Sequence, residues 1–378
     1  MKTTFVLYLL GAIVALGAPI TRARTEINIP DIPGYLTLKC DLHMHTVFSD
    51  GLVWPTVRVE EAWREGLDAI AITDHIEYLA HAKDVMTASN RNRSAEIARG
   101  PGSDLDIIVI RGSEITRTMP PGHLNAIFIT NANALVVTEW RDAIKAAHDQ
   151  GAFIFWNHPG WTNQLTEAGV RWFPEHTELL EGRMLHGIEV VNGRSYYPEA
   201  HAWALEKKIT MISNTDIHTA LNLDYHVHDG DYRPMTLVFA KDRTPEAIKE
   251  ALQARRTAVY ADGRVIGEKQ FLKPIFDRSI QIKKPKFTIK DKQRVYVQIA
   301  NRSDIHYSLE SDGGVEAVTV AKGFALPAHK TVILEVRGKG TAAKGRQTVE
   351  LPYKVANLLV GPNEPLRATI KLDVEFVK

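Results

Sequence analysis

The stretch DLHMHTVFSDG, residues 41–51, largely determines the fold that this chain can adopt and the chemistry it can support. It overlaps the end of an apolar run, residues 36–42, that is typical of a buried β-strand. In an extended segment, residues i and i+2 point to the same face, so His43 and His45 can bind one ion together. Asp50 follows in a Ser-Asp-Gly turn. The stretch therefore predicts a strand whose carboxyl end carries metal ligands.

Similar polar motifs accompany other predicted strands. Those motifs are Thr73-Asp74-His75, Gly112-Ser113-Glu114, Gly122-His123, Asn157-His158-Pro159 and Asp216-Ile217-His218. Parallel-strand barrels place their reactive groups at the carboxyl ends of their strands. A single histidine is usually structural, but nine imidazole and carboxylate groups exceed what one ion can use, and this mixture suits zinc, manganese or iron. The sequence therefore predicts a site for more than one metal ion.

The rest of the chain indicates two folding units. From residue 35 to residue 262, short β-branched runs alternate with helical patterns, which favours βαβ units and a parallel sheet or closed barrel. The predicted strands are residues 36–42, 69–73, 107–111, 123–129, 153–157, 187–192, 210–214 and 235–239, and helices are predicted at 55–65, 138–149 and 244–255. Lys-rich alternating runs then replace the helical periodicity, which predicts a C-terminal β-sandwich-like domain at residues 280–378. The predicted fold class is α/β followed by this β domain.

Composition and the N-terminus bear on partners and location. The 378 residues include 46 Lys and Arg and 45 Asp and Glu, which gives a net charge of +1. Binding a nucleic acid polymer requires clustered basic charge, so we expect no such partner. Residues 1–18 resemble a cleavable signal peptide, because Lys2 precedes an apolar run too short for a stable membrane span. An uncleaved anchor is the alternative. We expect a secreted or periplasmic protein, and the sequence does not indicate its oligomeric state.

The order of these motifs, over residues 36–261, resembles the PHP (polymerase and histidinol phosphatase) family of metal-dependent phosphoesterases. The signal peptide and the β domain make the chain similar to secreted PHP phosphodiesterases. The resemblance implies a distorted (β/α)7 barrel that binds two or three divalent ions, manganese or zinc with iron as a further option. The implied ligands are His43, His45, Glu114 and Asp216 for the first ion, Glu114 (bridging), His123 and His158 for the second, and Asp50, His75 and His218 for the third. Asp50 stands where some members carry histidine, which changes the donor set of the third site.

The resemblance also implies a reaction. A hydroxide that bridges the first two ions would attack the phosphorus of a small organic phosphate ester. The candidate catalytic residues are Asp74, Asp216 and His218. Asp74 either protonates the leaving oxygen or only orients a ligand histidine.

Three further residues are candidates for binding the substrate. Arg117 and Arg194 lie in predicted strand-end loops, where a guanidinium group can bind phosphate with two hydrogen bonds. Either could instead be a solvated surface arginine. Tyr197 lies close to Arg194 and is predicted to form a wall of the pocket.

The expected activity is hydrolysis of small phosphodiesters, with phosphomonoester hydrolysis as the second choice. A metal-dependent lactonase or amidase is an alternative, because metal-activated hydroxide also attacks carbonyl groups. A non-catalytic metal-binding module is a further alternative, against which the complete set of ligands argues.

Overall fold

The fold is taken from a computed structural model, which describes residues 22–165, 167, 169–227, 230–340 and 343–377. The predicted signal peptide, residues 1–18, lies outside these residues. In the part described, no helix is both long and apolar enough to cross a membrane.

The first part of the chain is a barrel of strands with helices around it. Its strands are β1 (Leu36–Asp41), β2 (Ala69–Ile72), β3 (Ile108–Ile115), β4 (Leu124–Ile127), β5 (Phe153–Trp156), β6 (Gly187–Asn192), β7 (Ser195–Tyr196), β8 (Thr210–Asn214), β9 (Met235–Ala240), β10 (Thr257–Ala261) and β11 (Arg264–Gly267). Its helices are α1 (Pro55–Arg64), α2 (Arg93–Asp104), α3 (Trp140–Asp149), α4 (Pro174–Glu181), α5 (Pro198–Lys207), α6 (Leu221–Asp224), α7 (Pro245–Gln253) and α8 (Lys269–Ser279).

Local sequence explains these elements. Every residue of β2 and β5 is buried, as expected for strands covered on both faces. Helix α3 buries Ala143, Ile144 and Ala147, which share one face at helical spacing. Helix α7 begins with Pro245, and the Thr244 side chain caps it by accepting a hydrogen bond from a backbone N–H in its first turn.

The strand directions differ in part from a purely parallel barrel. β1, β2 and β3 are parallel, as are β5, β6 and β8, but β4 runs antiparallel to both its neighbours and β9 runs antiparallel to β1. The connection between β3 and β4 is too short to hold a crossover helix, so the chain turns back on itself. As a result, the amino end of β4 lies at the same edge as the carboxyl ends of its neighbours.

Backbone hydrogen bonds join the segments that follow β1 and β8. Asp216 N–H donates to the carbonyl of His43, and His45 N–H donates to the carbonyl of Ile217, each at 3.0 Å. These bonds hold the two segments together at the edge where the polar motifs lie.

The rest of the chain is a β-sandwich, as predicted. Its strands are β12 (Ile280–Lys283), β13 (Lys286–Lys290), β14 (Arg294–Asn301), β15 (Tyr307–Ser311), β16 (Val318–Thr319), β17 (Gly323–Leu326), β18 (Thr331–Gly338), β19 (Gly345–Gly361) and β20 (Glu364–Val377). One sheet has the order β12-β14-β18-β16, and the other contains β13, β20, β19, β15 and β17. β19 also pairs with β11 in parallel, so the second sheet continues that of the barrel.

Candidate metal centre

The nine predicted ligand side chains meet at one edge of the barrel and form three groups of donor atoms. Within each group, one atom from every residue lies within 4.8 Å of all the others. The groups are His43, His45, Glu114 and Asp216 (first), Glu114, His123 and His158 (second), and His45, Asp50, His75 and His218 (third). Glu114 belongs to the first two groups and His45 to the first and third, so the three groups adjoin one another.

The first group has the spacing of a single ion site. Nε2 of His43 lies 3.1 Å from Oδ1 of Asp216 and 3.2 Å from Oε2 of Glu114. Nε2 of His45 lies 3.0 and 3.2 Å from the same two oxygens. Donors about 2.0–2.1 Å from a tetrahedral zinc ion would stand roughly 3.3–3.4 Å apart. The buried Oδ1 of Asp216 has no hydrogen-bond donor of its own, which also fits a cation.

The second group contains buried polar atoms without hydrogen bonds. Nδ1 of His123 lies 2.6 Å from Oε1 of Glu114, but neither atom has a partner with hydrogen-bond geometry, and Nδ1 of His158 also lacks one. Leaving a buried polar atom unpaired costs about 1–3 kcal/mol. A bound cation would satisfy Nδ1 of His123 and Oε1 of Glu114 together, and Nε2 of His158 lies 3.6 Å from the same oxygen, so the donor set fits a second ion.

The third group is wider and more open to solvent. Oδ1 of Asp50 lies 3.4 Å from Nε2 of His218, 3.5 Å from Nε2 of His75 and 3.7 Å from Nδ1 of His45. The side chains of His218 and Asp50 are 35% and 22% exposed, whereas that of His45 is fully buried. This group therefore forms the solvent side of the centre.

Buried neighbours fix the orientation of the candidate ligands. Oε1 of Glu189 accepts a hydrogen bond from Nδ1 of His43 at 2.9 Å, so the Nε2 lone pair faces the first group. Thr116 Oγ1 lies 2.5 Å from Nδ1 of His75, and Nδ1 of His218 donates to a backbone carbonyl at 2.8 Å. These bonds fix the ring orientations before any ion binds.

Two candidate ligands have a left-handed backbone. The φ angle is 55° at Asp216 and 28° at His158. Such conformations cost about 1–3 kcal/mol when a residue is not glycine and are concentrated at functional sites. They direct both side chains into the centre.

Carboxylates control protonation in the centre. Burial alone lowers the pKa of His75, but Glu114 and Asp50 outweigh burial and raise that pKa to about 9. At His43 burial also lowers the pKa. The nearby carboxylates, Asp216 foremost, outweigh burial and raise this pKa well above its usual value. Burial raises the pKa of Asp50, but hydrogen bonds from neighbouring imidazoles lower it overall. The concentrated negative charge holds protons on the rings, and a cation would compete with those protons.

Asp74 is hydrogen-bonded to the turn that follows β1. Its Oδ1 accepts a hydrogen bond from Thr46 N–H at 2.7 Å and from Ser49 Oγ at 2.9 Å, and its Oδ2 accepts one from Thr46 Oγ1 at 2.8 Å. Both oxygens are therefore engaged in holding the turn that leads to Asp50. This geometry favours an orienting role over proton transfer.

The two predicted phosphate-binding arginines are already paired. Arg117 forms an ion pair with Glu77 at 3.0 Å and also donates to a backbone carbonyl. Arg194 forms an ion pair with Asp231 at 2.6 Å, and its side chain is 60% exposed. Each guanidinium therefore already has a carboxylate partner, and phosphate binding by these two arginines stays a prediction.

Tyr197 packs beneath the turn that carries Trp161. Its side chain is buried, and a Cβ placed on Gly160 would come within 2.6 Å of the tyrosine ring. The glycine is thus required by close packing, and the turn that carries Trp161 rests on Tyr197. Its predicted role in substrate binding stays a prediction.

The sequence interpretation overlooked Glu189, the carboxylate that orients His43. It lies in the middle of the apolar strand β6, where it also accepts hydrogen bonds from His158 N–H at 2.7 Å and from the side chains of Asn192 at 2.8 Å and Asn214 at 2.9 Å. A charged residue within an otherwise apolar buried strand is the signal that could have identified it.

Comparison with known proteins identifies the family. One solved structure is a two-domain protein from Bacteroides vulgatus, described as containing a predicted PHP-like metal-dependent phosphoesterase. Its sequence is 43% identical to this chain, and the two structures superpose with a TM-score of 0.87. The match covers 93% of this chain and 100% of that one. The chain belongs to the PHP family. A PHP domain matches residues 41–181, and an Ig-like domain matches residues 280–371. The barrel is thus a PHP-type metal-dependent phosphoesterase domain, followed by an Ig-like β domain.

Two more distant solved structures are also similar. A putative metal-dependent phosphoesterase from Bifidobacterium adolescentis is 17% identical, with a TM-score of 0.37 over 47% of this chain and 87% of that one. An amidohydrolase from Chromobacterium violaceum with bound sulfate is 16% identical, with a TM-score of 0.38 over 59% of this chain and 97% of that one. No curated protein matches the chain.

Proposed function

We propose that this PHP protein hydrolyses small phosphodiesters in the periplasm or outside the cell, using two or three divalent ions, manganese or zinc. The observation that carries the proposal is the set of three adjoining donor groups around Glu114. When bound, such ions lower the pKa of coordinated water and offset the charge of a phosphoryl group.

Different residues of the chain would hold different ions. Oε2 of Glu114 lies with His43 and His45, while Oε1 lies beside His123, so one carboxylate would serve two ions. Asp216 completes the first group, and His218 lies on the solvent side of the third. Asp216 and His218 would contribute to catalysis by holding ions, and Asp74 by fixing the turn that carries Asp50.

Charge favours a diester over a monoester. A phosphomonoester carries up to two negative charges near neutral pH, whereas a diester carries one. Arg117 and Arg194 pair with Glu77 and Asp231, and these carboxylates reduce the positive charge that the two arginines offer to a second phosphate charge. This pairing supports phosphodiesters as the preferred substrates.

The test is turnover by the purified mature protein, loaded separately with manganese and zinc. We expect faster hydrolysis of bis(p-nitrophenyl) phosphate than of p-nitrophenyl phosphate, and loss of both activities in His43→Ala and Asp216→Asn. Preference for the monoester would overturn the diester proposal. Hydrolysis of a lactone or amide but of neither phosphate, or no hydrolysis with ions bound, would overturn phosphoester hydrolysis altogether.

A further inference from the structure

Two exposed aromatic side chains border the metal centre. Trp161 is 40% exposed, and its ring lies 5.2 Å from that of His158 and 5.5 Å from that of His123, both in the second group. Tyr78 is 54% exposed, and its ring meets that of His75, in the third group, edge-on at 6.2 Å. Large apolar rings at the mouth of a polar site are typical of surfaces that contact an organic ligand.

The two rings border different sides of Glu114. The neighbours of Trp161, His123 and His158, approach Oε1 of that carboxylate, whereas His75, the neighbour of Tyr78, approaches Oε2. A phosphoryl group bound near Glu114 would therefore have one aromatic ring toward each side. A diester has two organic arms that leave phosphorus in different directions, and this arrangement suits both of them.

Both aromatic residues lie on backbone segments that are hydrogen-bonded beside the centre. The Trp161 backbone N–H donates to the carbonyl of His158 at 2.9 Å, and the intervening Gly160 packs on Tyr197. Near Tyr78, the backbone N–H of Ile76 donates to the carbonyl of Glu114 at 3.0 Å. The two aromatic side chains are thus attached to the same segments that carry candidate metal ligands.

We infer that Trp161 and Tyr78 are specificity-determining residues that stack on the organic arms of the substrate, and that the preferred substrates are phosphodiesters carrying a flat ring, an aryl group or a nucleobase. This inference rests on the proposed phosphodiesterase function. Stacking of a flat ring on an aromatic side chain increases affinity by about 5-fold or more per ring.

The test varies the second arm while the leaving group stays the same. The probes are methyl p-nitrophenyl phosphate, bis(p-nitrophenyl) phosphate and the p-nitrophenyl ester of thymidine monophosphate. The intrinsic reactivities of the probes differ, but they cancel when each kcat/KM is expressed relative to the parent protein. All three probes carry the p-nitrophenyl ring as leaving group, so we expect the alanine variant of the residue that stacks on the second arm, Trp161 or Tyr78, to lower kcat/KM for a probe with a ring on that arm about 5-fold or more relative to the methyl ester.

Control variants separate stacking from damage to the centre. Trp161→Phe and Tyr78→Phe keep a ring and should retain most of the preference, while Tyr296→Ala removes a 59% exposed tyrosine of the β domain and should change nothing. Bound metal is measured for every variant and should equal that of the parent.

The outcomes separate the inference from the function on which it rests. A loss confined to the thymidine ester supports a nucleobase, and a loss for both probes with a ring on the second arm supports flat rings in general. An equal loss for all three probes in one variant identifies the residue that stacks on the leaving group. An equal loss for all three probes in both variants, or no loss in either, overturns the inference while leaving phosphodiester hydrolysis intact. If the metal-loaded parent hydrolyses none of the probes, the proposed function itself fails.

Discussion

At the scale of single residues, Glu189 shows how a side chain outside the ligand set can control the centre. Glu189 is fully buried. Its carboxylate accepts one hydrogen bond from the ring of His43 and another from the backbone N–H of His158, and both residues are candidate ligands. We predict that Glu189→Gln lowers metal affinity about 10- to 100-fold, because outer partners of ligating histidines have effects of this size. Competition with a chromophoric chelator measures the change.

The matched control for this variant is Glu178→Gln. The Glu178 side chain is 45% exposed and pairs with Arg141 on the surface, so the same chemical change there should leave metal affinity unaltered. Equal affinities for Glu189→Gln and the parent protein would contradict the orienting role.

A second residue, His176, should make stability depend on pH. Burial lowers its pKa to about 4 despite a hydrogen bond to the Pro121 carbonyl, and its ring stacks on Trp156 at 3.7 Å. In the unfolded chain this histidine has a pKa of about 6.5. Below that pH the folded state therefore binds fewer protons than the unfolded state. The stability that neutral His176 contributes is complete above about pH 6.5 and is lost as the pH falls toward about 4.

We therefore predict that His176→Gln is less stable than the parent at pH 7.5, and that the difference shrinks by about 1–3 kcal/mol as the pH falls to 4.5. Urea unfolding of the two proteins at each pH measures it, and the titration of the metal centre cancels in the comparison. A constant difference between His176→Gln and the parent would exclude this linkage.

At the scale of elements, the turn after β1 depends on one glycine. A Cβ on Gly51 would lie 2.6 Å from the carbonyl carbon of His45 and 2.7 Å from the backbone nitrogen of Thr46. Since these are backbone atoms, the turn must move, and Asp50 moves with it. We predict that Gly51→Ala weakens the third group selectively, lowering bound metal by about one ion per chain and turnover by about 10-fold or more.

Gly100→Ala is the control for that change. Gly100 lies in helix α2, where an added Cβ meets nothing within 4 Å, so the substitution should leave metal content and turnover unchanged. Metal analysis after gel filtration gives the stoichiometry. Retention of a full set of ions by Gly51→Ala would show that the turn adapts.

The elements also show which parts of the centre could be predicted. The strand-end motifs carry their own signal, because spacing and burial direct His43, His45 and Asp216 toward one edge. The partners of Arg117 and Arg194 could not be predicted, since ion pairing with Glu77 and Asp231 depends on how separate loops pack. The reversal of β4 had only a weak signal, a connection too short for a crossover.

At the scale of the whole molecule, the barrel and the sandwich share one core. Buried side chains of the barrel, including Leu237 and Tyr260, belong to the same apolar cluster as Leu358 and Ile370 of the sandwich. The sequence indicated two units by a change in periodicity, but the pairing of β11 with β19 joins residues about 90 positions apart and leaves no local pattern. We therefore expect the two parts to unfold together.

Intrinsic fluorescence can test this expectation. All seven tryptophans lie in the barrel, the last being Trp203, so tryptophan fluorescence reports on the barrel alone. Ile370 is 1% exposed in the sandwich, and Ile370→Ala should destabilise the fold by about 2–5 kcal/mol. Shared unfolding predicts that the fluorescence melting temperature falls by several degrees, in step with circular dichroism. Ile333→Ala, at a sandwich position that is 66% exposed, should change neither signal. A fluorescence transition that stays fixed while a second transition moves would mean that the barrel unfolds independently of the sandwich.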